Sequence, residues 1–125
     1  VCAYSLQAQT IIKSAENKVL GYIEDGNKFY DLNSAKILDF STDGSIKDLG
    51  GDVMATYNRE TGQVLDKNGD LIYTVDGSNI KSPSNSVIAA VSGNNLNDGD
   101  AHLIGSAASI DKYYISFFFL VYNKL

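Results

Sequence analysis

Pairs of adjacent apolar residues recur along the chain: Val19-Leu20, Ile37-Leu38, Val53-Met54, Leu71-Ile72, Val87-Ile88 and Leu103-Ile104, at intervals of 18, 16, 18, 16 and 16 residues. A further apolar position precedes each pair, at Ile12, Phe29, Ile46, Val64, Ile80 and Leu96. Two residues after that position stands a turn former: Ser14, Asp31, Asp48, Asp66, Ser82 or Asp98. The turn former lies five residues before the apolar pair in five copies and six before it in the second. Gly26, Gly44, Gly62, Gly77 and Gly93 fall between the copies. Three landmarks held in step define a repeat.

Each copy has the pattern of a β-hairpin. A short strand ends on Asp or Ser, whose side chain can accept a hydrogen bond from the backbone two residues on and so start a turn. The apolar strand follows, and Gly allows the positive φ at which the chain reverses again. Because side chains alternate along a strand, the second residue of each pair (Leu20, Leu38, Met54, Ile72, Ile88, Ile104) is expected to face the core. The next residue (Gly21, Asp39, Ala55, Tyr73, Ala89, Gly105) is expected on the opposite face. A lone hairpin is marginal in water, so the copies must share a core in a closed or stacked arrangement. The predicted fold is all-β, with about six hairpin repeats of 16–18 residues.

The chain closes on Tyr113-Tyr114-Ile115-Ser116-Phe117-Phe118-Phe119-Leu120-Val121-Tyr122, nearly continuous apolar and half the length a membrane helix needs. Its aromatic and β-branched content predicts a hydrophobic C-terminal strand covered on both faces. The alternatives are a membrane-facing edge or an oligomer contact, because an uncovered strand of this kind aggregates. At the other end, residues 1–9 resemble the remnant of a signal peptide, with small residues and a cut after Ala8. Residues 10–125 then form one domain, exported to the periplasm, outer-membrane surface or medium. Cys2 could carry a lipid anchor.

Composition narrows the chemistry. The 125 residues carry a net charge of −5 with acids and bases scattered, which argues against nucleic acid or an anionic membrane as partner. One cysteine rules out an internal disulfide and a thiolate metal cage. Asp66-Lys67-Asn68-Gly69-Asp70 opens like a calcium loop, but Leu71 and Gly77 stand where the tight-turn Gly and bidentate Glu belong, so a polar turn is the simpler reading. Asp98-Gly99-Asp100 near His102, the single histidine, is a second acidic cluster that reads as a turn. A Cys–His pair or a Ser–His–Asp triad would have to use His102, and nothing near it resembles a nucleophile elbow. Glu16, Glu24 and Glu60 fall at predicted turns or strand ends, and no phosphate-cradling Gly loop leads into a helix. No catalytic, cofactor or metal residue is assigned. Tyr22, Tyr30, Phe40, Tyr57, Tyr73 and Tyr113 could stack on sugar rings, although aromatics on strands more often pack in the core.

At Ser14-Ala15-Glu16-Asn17-Lys18-Val19-Leu20-Gly21-Tyr22-Ile23 the sequence resembles the 4-fold β-flower proteins, exported proteins of Bacteroidetes. That family repeats an Asp-initiated turn with Asn followed by an Ile-Gly-Tyr-Ile-like strand, and its chains tend to end in a Phe-rich run like Phe117-Phe118-Phe119. The likeness covers residues 10 to 122. Only the first copy keeps the Gly-Tyr pair, and there are six copies where the family name implies four-fold symmetry. The resemblance implies a β-repeat fold and export, and it brings no activity or functional residue. The expectation is a non-catalytic structural or interaction module of the cell envelope, with an envelope protein or glycan as partner. The alternative is a carbohydrate-binding module that uses exposed tyrosines.

Overall fold

In the computed structural model, which describes residues 9–108 and 111–124, twelve antiparallel strands form a closed barrel. They are β1 (Gln9–Ser14), β2 (Val19–Glu24), β3 (Lys28–Asp31), β4 (Lys36–Phe40), β5 (Ser45–Lys47), β6 (Val53–Tyr57), β7 (Gln63–Asp66), β8 (Leu71–Asp76), β9 (Asn79–Lys81), β10 (Val87–Ser92), β11 (Asn95–Asp98) and β12 (Leu103–Ala107). Each strand pairs with its neighbours in sequence, and β1 closes on β12 through Ile12–Ala107, Lys13–Ser106 and Ser14–Gly105. Closure removes the free edges that a repeat of hairpins would otherwise expose. Residues 1–8, where all but the last residue of the expected signal remnant falls, lie outside the described residues; Gln9 is the first residue of β1.

All six turn formers start the same turn. Asp31 Oδ1 accepts from the backbone N–H groups of Asn33 and Ala35, at 2.9 and 3.0 Å. Asp48, Asp66 and Asp98 repeat both bonds, Ser14 makes them through its hydroxyl, and Ser82 keeps the bond from Ser86 N–H. The backbone adds a bond from the N–H of the turn former to the carbonyl four residues on, as in Asp66 to Asp70 at 2.8 Å. The fourth residue of each turn has positive φ: Asn17, Ser34, Gly51, Gly69, Asn85 and Ala101. This is a three-residue hairpin loop with a left-handed closing residue. At the other end of the barrel Gly62 has φ of +78°, and a Cβ there would come within 2.3 Å of the Val75 carbonyl oxygen, so only glycine fits.

A β-bulge sits beside every one of these turns. The register slips between Ile12 and Lys13, Phe29 and Tyr30, Ile46 and Lys47, Val64 and Leu65, and Leu96 and Asn97, and within β10 between Val87 and Ala89. The unpaired residues are Leu20, Ile37, Met54, Ile72, Ile88 and Ile104, five of them the second members of the apolar pairs. A bulge bends and twists a strand, which lets strands of 3–6 residues close a ring. It also corrects the expected facing. The residues after the bulge, not the bulged ones, are the fully inward set, and they lie opposite the first apolar position: Gly21 faces Ile12, Ala55 faces Ile46, Tyr73 faces Val64, Ala89 faces Ile80 and Gly105 faces Leu96. Leu20, Met54, Ile72 and Ile104 are half-buried against the same core. In the second copy Leu38, not Asp39, is the inward residue opposite Phe29, so the true pair is Lys36-Ile37 and the five-residue spacing holds throughout.

The C-terminal run is a helix, not the expected strand: α1 (Lys112–Leu120), followed by a short 3-10 turn η1 (Tyr122–Lys124). Every residue from Tyr113 to Phe119 is buried, as for a helix surrounded on all sides. Its side chains meet the wall around the ring. Phe118 lies against Phe29 of β3, Phe117 and Tyr114 against Phe40 of β4, and Tyr113 and Tyr114 against Tyr57 of β6. Tyr73 of β8 meets Ser116, and Phe119 presses on Gly105 of β12. The helix therefore fills the barrel. Ser116, which interrupts the apolar run, is fully buried and satisfied: its hydroxyl donates within the helix to the Lys112 carbonyl at 2.6 Å and lies 3.0 Å from the Tyr73 hydroxyl.

A Cβ on Gly105 would lie 2.2 Å from the Phe119 ring. Gly105→Val is expected to destabilise the protein by about 1–3 kcal/mol in urea unfolding, as overpacking does. Phe119→Ala in the same chain should return part of that loss, because it removes the group the new side chain strikes.

Candidate functional site

The acidic clusters are occupied by the turns they start. Asp66 Oδ1 accepts from Asn68 and Asp70 N–H at 2.8 and 3.0 Å, which accounts for the calcium-like sequence as hairpin chemistry. Asp98 does the same for Asp100 and His102 at 2.9 Å each. Asp98, Asp100 and His102 do bring one ligand atom each within 4.8 Å of one another, on the surface of the β11–β12 turn. The His102 N–H, and after it that of Asp100, holds the Asp98 carboxyl below its usual pKa. Glu16 and Glu60 are exposed in turns, and Glu24 ends β2 half-buried. Cys2 lies outside the described residues.

The six candidate aromatics divide. Phe40, Tyr57, Tyr73 and Tyr113 are core residues packed in and around α1. The Tyr73 phenol is raised in pKa by burial, and Tyr57 is pushed up to about 12 by burial and its hydrogen bond with Tyr114. Tyr22 and Tyr30 instead lie on the outer face as a cross-strand pair of β2 and β3. Their rings are parallel within 10° and 5.5 Å apart. The Tyr22 hydroxyl donates to Ser34 Oγ at 2.8 Å. The Tyr30 phenol is raised in pKa, first by partial burial and then by the charge of the nearby Glu24 carboxylate. Exposed Ile11 pairs with Tyr22 on one side, and Lys36 pairs with Tyr30 on the other.

A third cluster was not foreseen. Arg59, the only arginine, sits in the β6–β7 loop and closes the barrel end where α1 begins. Its guanidinium bonds Asp111 at 2.7 Å and the Tyr114 hydroxyl at 3.2 Å, and it lies 5.0–5.5 Å from the ring centres of Tyr57, Tyr113 and Tyr114. Burial alone would lower the Arg59 pKa, but the bond and charge of Asp111 outweigh it and hold the cation. Asp111 is also the N-cap of α1, accepting from Tyr113 N–H at 2.8 Å. An open cleft of about 340 Å³ beside Arg59 is lined by Asp43, Gly44, Tyr57, Asn58 and Glu60. The one sequence signal for this site was a single arginine among nine lysines.

The class these features define is a closed twelve-stranded hairpin-repeat barrel filled by its own C-terminal helix. Comparison with protein-family models, curated proteins and solved structures finds no match.

Two outcomes follow. A double-mutant cycle of Arg59→Ala and Asp111→Ala should give a coupling of roughly 0.5–1 kcal/mol in urea unfolding, shrinking in high salt, since the pair is partly exposed. Asp98 has a depressed pKa when folded, so its contribution is present above the ordinary carboxylate range and is lost as pH falls through the folded value. Asp98→Asn can still accept the turn bonds, so its stability should vary less than that of the wild type between pH 5 and about pH 2, read by thermal melts.

Proposed function

We propose that this protein is a non-catalytic exported module of the cell envelope that acts by binding through its outer surface. The observation that carries the reading is the filled interior: α1 occupies the space in which a barrel of this width would otherwise hold a ligand. The repeated hairpin built on an Asp- or Ser-initiated turn supports kinship with the β-flower proteins, and the signal-like opening supports export. Among the described residues no helix is long and apolar enough to cross a membrane. The strands of 3–6 residues fall short of the roughly 9–11 that a membrane-spanning barrel needs, and Lys13, Lys47 and Lys81 point outward where lipid would lie. Tyr113–Phe119 are buried inside the barrel, which favours a partner that meets the wall or the rims.

The second reading, carbohydrate binding, is favoured by one observation, the outward Tyr22–Tyr30 pair. With four of the six candidate aromatics in the core, it rests on these two rings. A glycan array combined with a panel of chromogenic glycoside and phosphoester substrates tests both readings. Binding without turnover is expected. Hydrolysis that survives repurification and tracks the protein would overturn the non-catalytic reading.

A further inference from the structure

The six copies serve as internal controls for each position. The wall pair occupied by Tyr22 and Tyr30 has five equivalents: Asp39–Lys47, Thr56–Leu65, Thr74–Lys81, Ala90–Asn97 and Ser106–Lys13. Those pairs span charged, polar, small and, at Leu65, aliphatic side chains, none of them aromatic, and the barrel closes with all of them. The fold therefore does not require aromatics here, and the Tyr pair is a local addition to the outer wall.

The addition is also rigid. Tyr22 is tied at its hydroxyl to Ser34 in the β3–β4 turn, and the Glu24 carboxylate at the far end of β2 lies near enough to the Tyr30 phenol to raise its pKa. The Tyr22 phenol is thus anchored, and the two rings lie parallel. Fixed rings bind at lower entropic cost than free ones. A carboxylate (Glu24), an ammonium (Lys36) and a hydroxyl (Ser34) lie at their margins, and these groups suit a ligand dense in hydroxyls. The apolar faces next to polar tips match a pyranose ring, whose axial C–H bonds form one apolar face while its equatorial hydroxyls point to the rim.

Resting on the carbohydrate reading above, we infer that Tyr22 and Tyr30 form a saccharide-stacking site for β-linked pyranosides with equatorial hydroxyls. The rings supply the stacking, and Glu24, Ser34 and Lys36 take hydroxyl hydrogen bonds. The site differs from the Arg59 cleft and uses no metal.

The test is calorimetric titration of the whole chain with β-1,3- and β-1,4-linked glucose hexasaccharides. The variants are Tyr22→Ala, Tyr30→Ala and both together, with Thr74→Ala as a control at an equivalent outward position. Melting curves establish that each variant is folded. Wild type should bind at least one hexasaccharide, each Tyr→Ala should weaken binding about tenfold, and Thr74→Ala should leave it unchanged. The chain contains no tryptophan, so Tyr30→Trp adds a single reporter whose emission should shift to the blue with ligand. Full binding by the double variant would overturn the site while leaving the carbohydrate reading intact. Failure of the wild type on both hexasaccharides would overturn the ligand class, and a positive glycan array would then keep the broader reading alive. If this face cross-links to an envelope protein and neither sugar binds, the site belongs to a protein partner and the inference is wrong.

Discussion

A closed ring of twelve strands encloses more space than its own inward side chains can fill. About eight strands suffice to pack solid, and well above that number barrels hold water or a plug. Here α1 is the plug, and the rest of the structure adapts to it. The wall is small where the helix runs close, at Gly105 and Ala107, and large where there is room, at Phe29, Phe40 and Tyr73. The helix is apolar on every side because it has no solvent face. Its buried Ser116 hydroxyl is matched by the Tyr73 hydroxyl on the wall, and its Tyr114 hydroxyl by that of Tyr57, which avoids leaving buried polar groups unpaired. The entry end is closed by Arg59, which binds the helix cap Asp111 while lying against three tyrosine rings.

The wall solves a second problem, curvature, with one bulge per hairpin. Without the bulge, Leu20 and Gly21 would point to opposite faces. With it, Leu20 leans onto the core near the turn while Gly21 sits fully inside opposite Ile12. Strict alternation therefore placed Leu20, Met54, Ile72 and Ile104 correctly against the core but not Ile88, which is exposed. It put Gly21, Ala55, Tyr73, Ala89 and Gly105 wrongly outside it. The same oversight produced the six-residue spacing of the second copy: Ile37-Leu38 is the most apolar pair there, but Leu38 is the inward residue and Ile37 the bulge. A bulge leaves no periodic mark in a single strand. Its trace is the steady five-residue spacing, seen once the copies are aligned by their turns instead of their apolar pairs.

The repeat, the all-β class and the turn chemistry were legible because each depends on residues adjacent in sequence. Asp66 needs only Asn68 and Asp70 to show what it does. The C-terminal run was not legible for a physical reason. Ten residues, eight of them Tyr, Phe, Ile or Val, satisfy a strand covered on two faces and a helix covered on all sides equally well, and intrinsic preference favours the strand. The enclosing barrel overrides that preference. Asp111, just before the run, was the local sign of a helix start. The Arg59 cluster was beyond reach for a different reason: it joins residues more than 50 positions apart, and nothing near Arg59 anticipates Tyr114.

The same reasoning locates where function can sit. Inside the barrel each side chain is constrained by α1, so aromatic content there reflects packing. On the outside the copies are released from that constraint, and their equivalent positions drift among Asp, Thr, Leu, Ala, Asn, Ser and Lys. Against that background the Tyr22–Tyr30 pair has no structural motive in the barrel itself, since five neighbouring pairs do without it. A Tyr pair left half-exposed, aligned and tied at the Tyr22 hydroxyl keeps apolar area in water that smaller residues would not expose. The saccharide site proposed for this face would give that exposed area a purpose that folding alone does not require. The sequence feature that the proposal rests on is then not the repeat but the one outward pair in which both residues are aromatic.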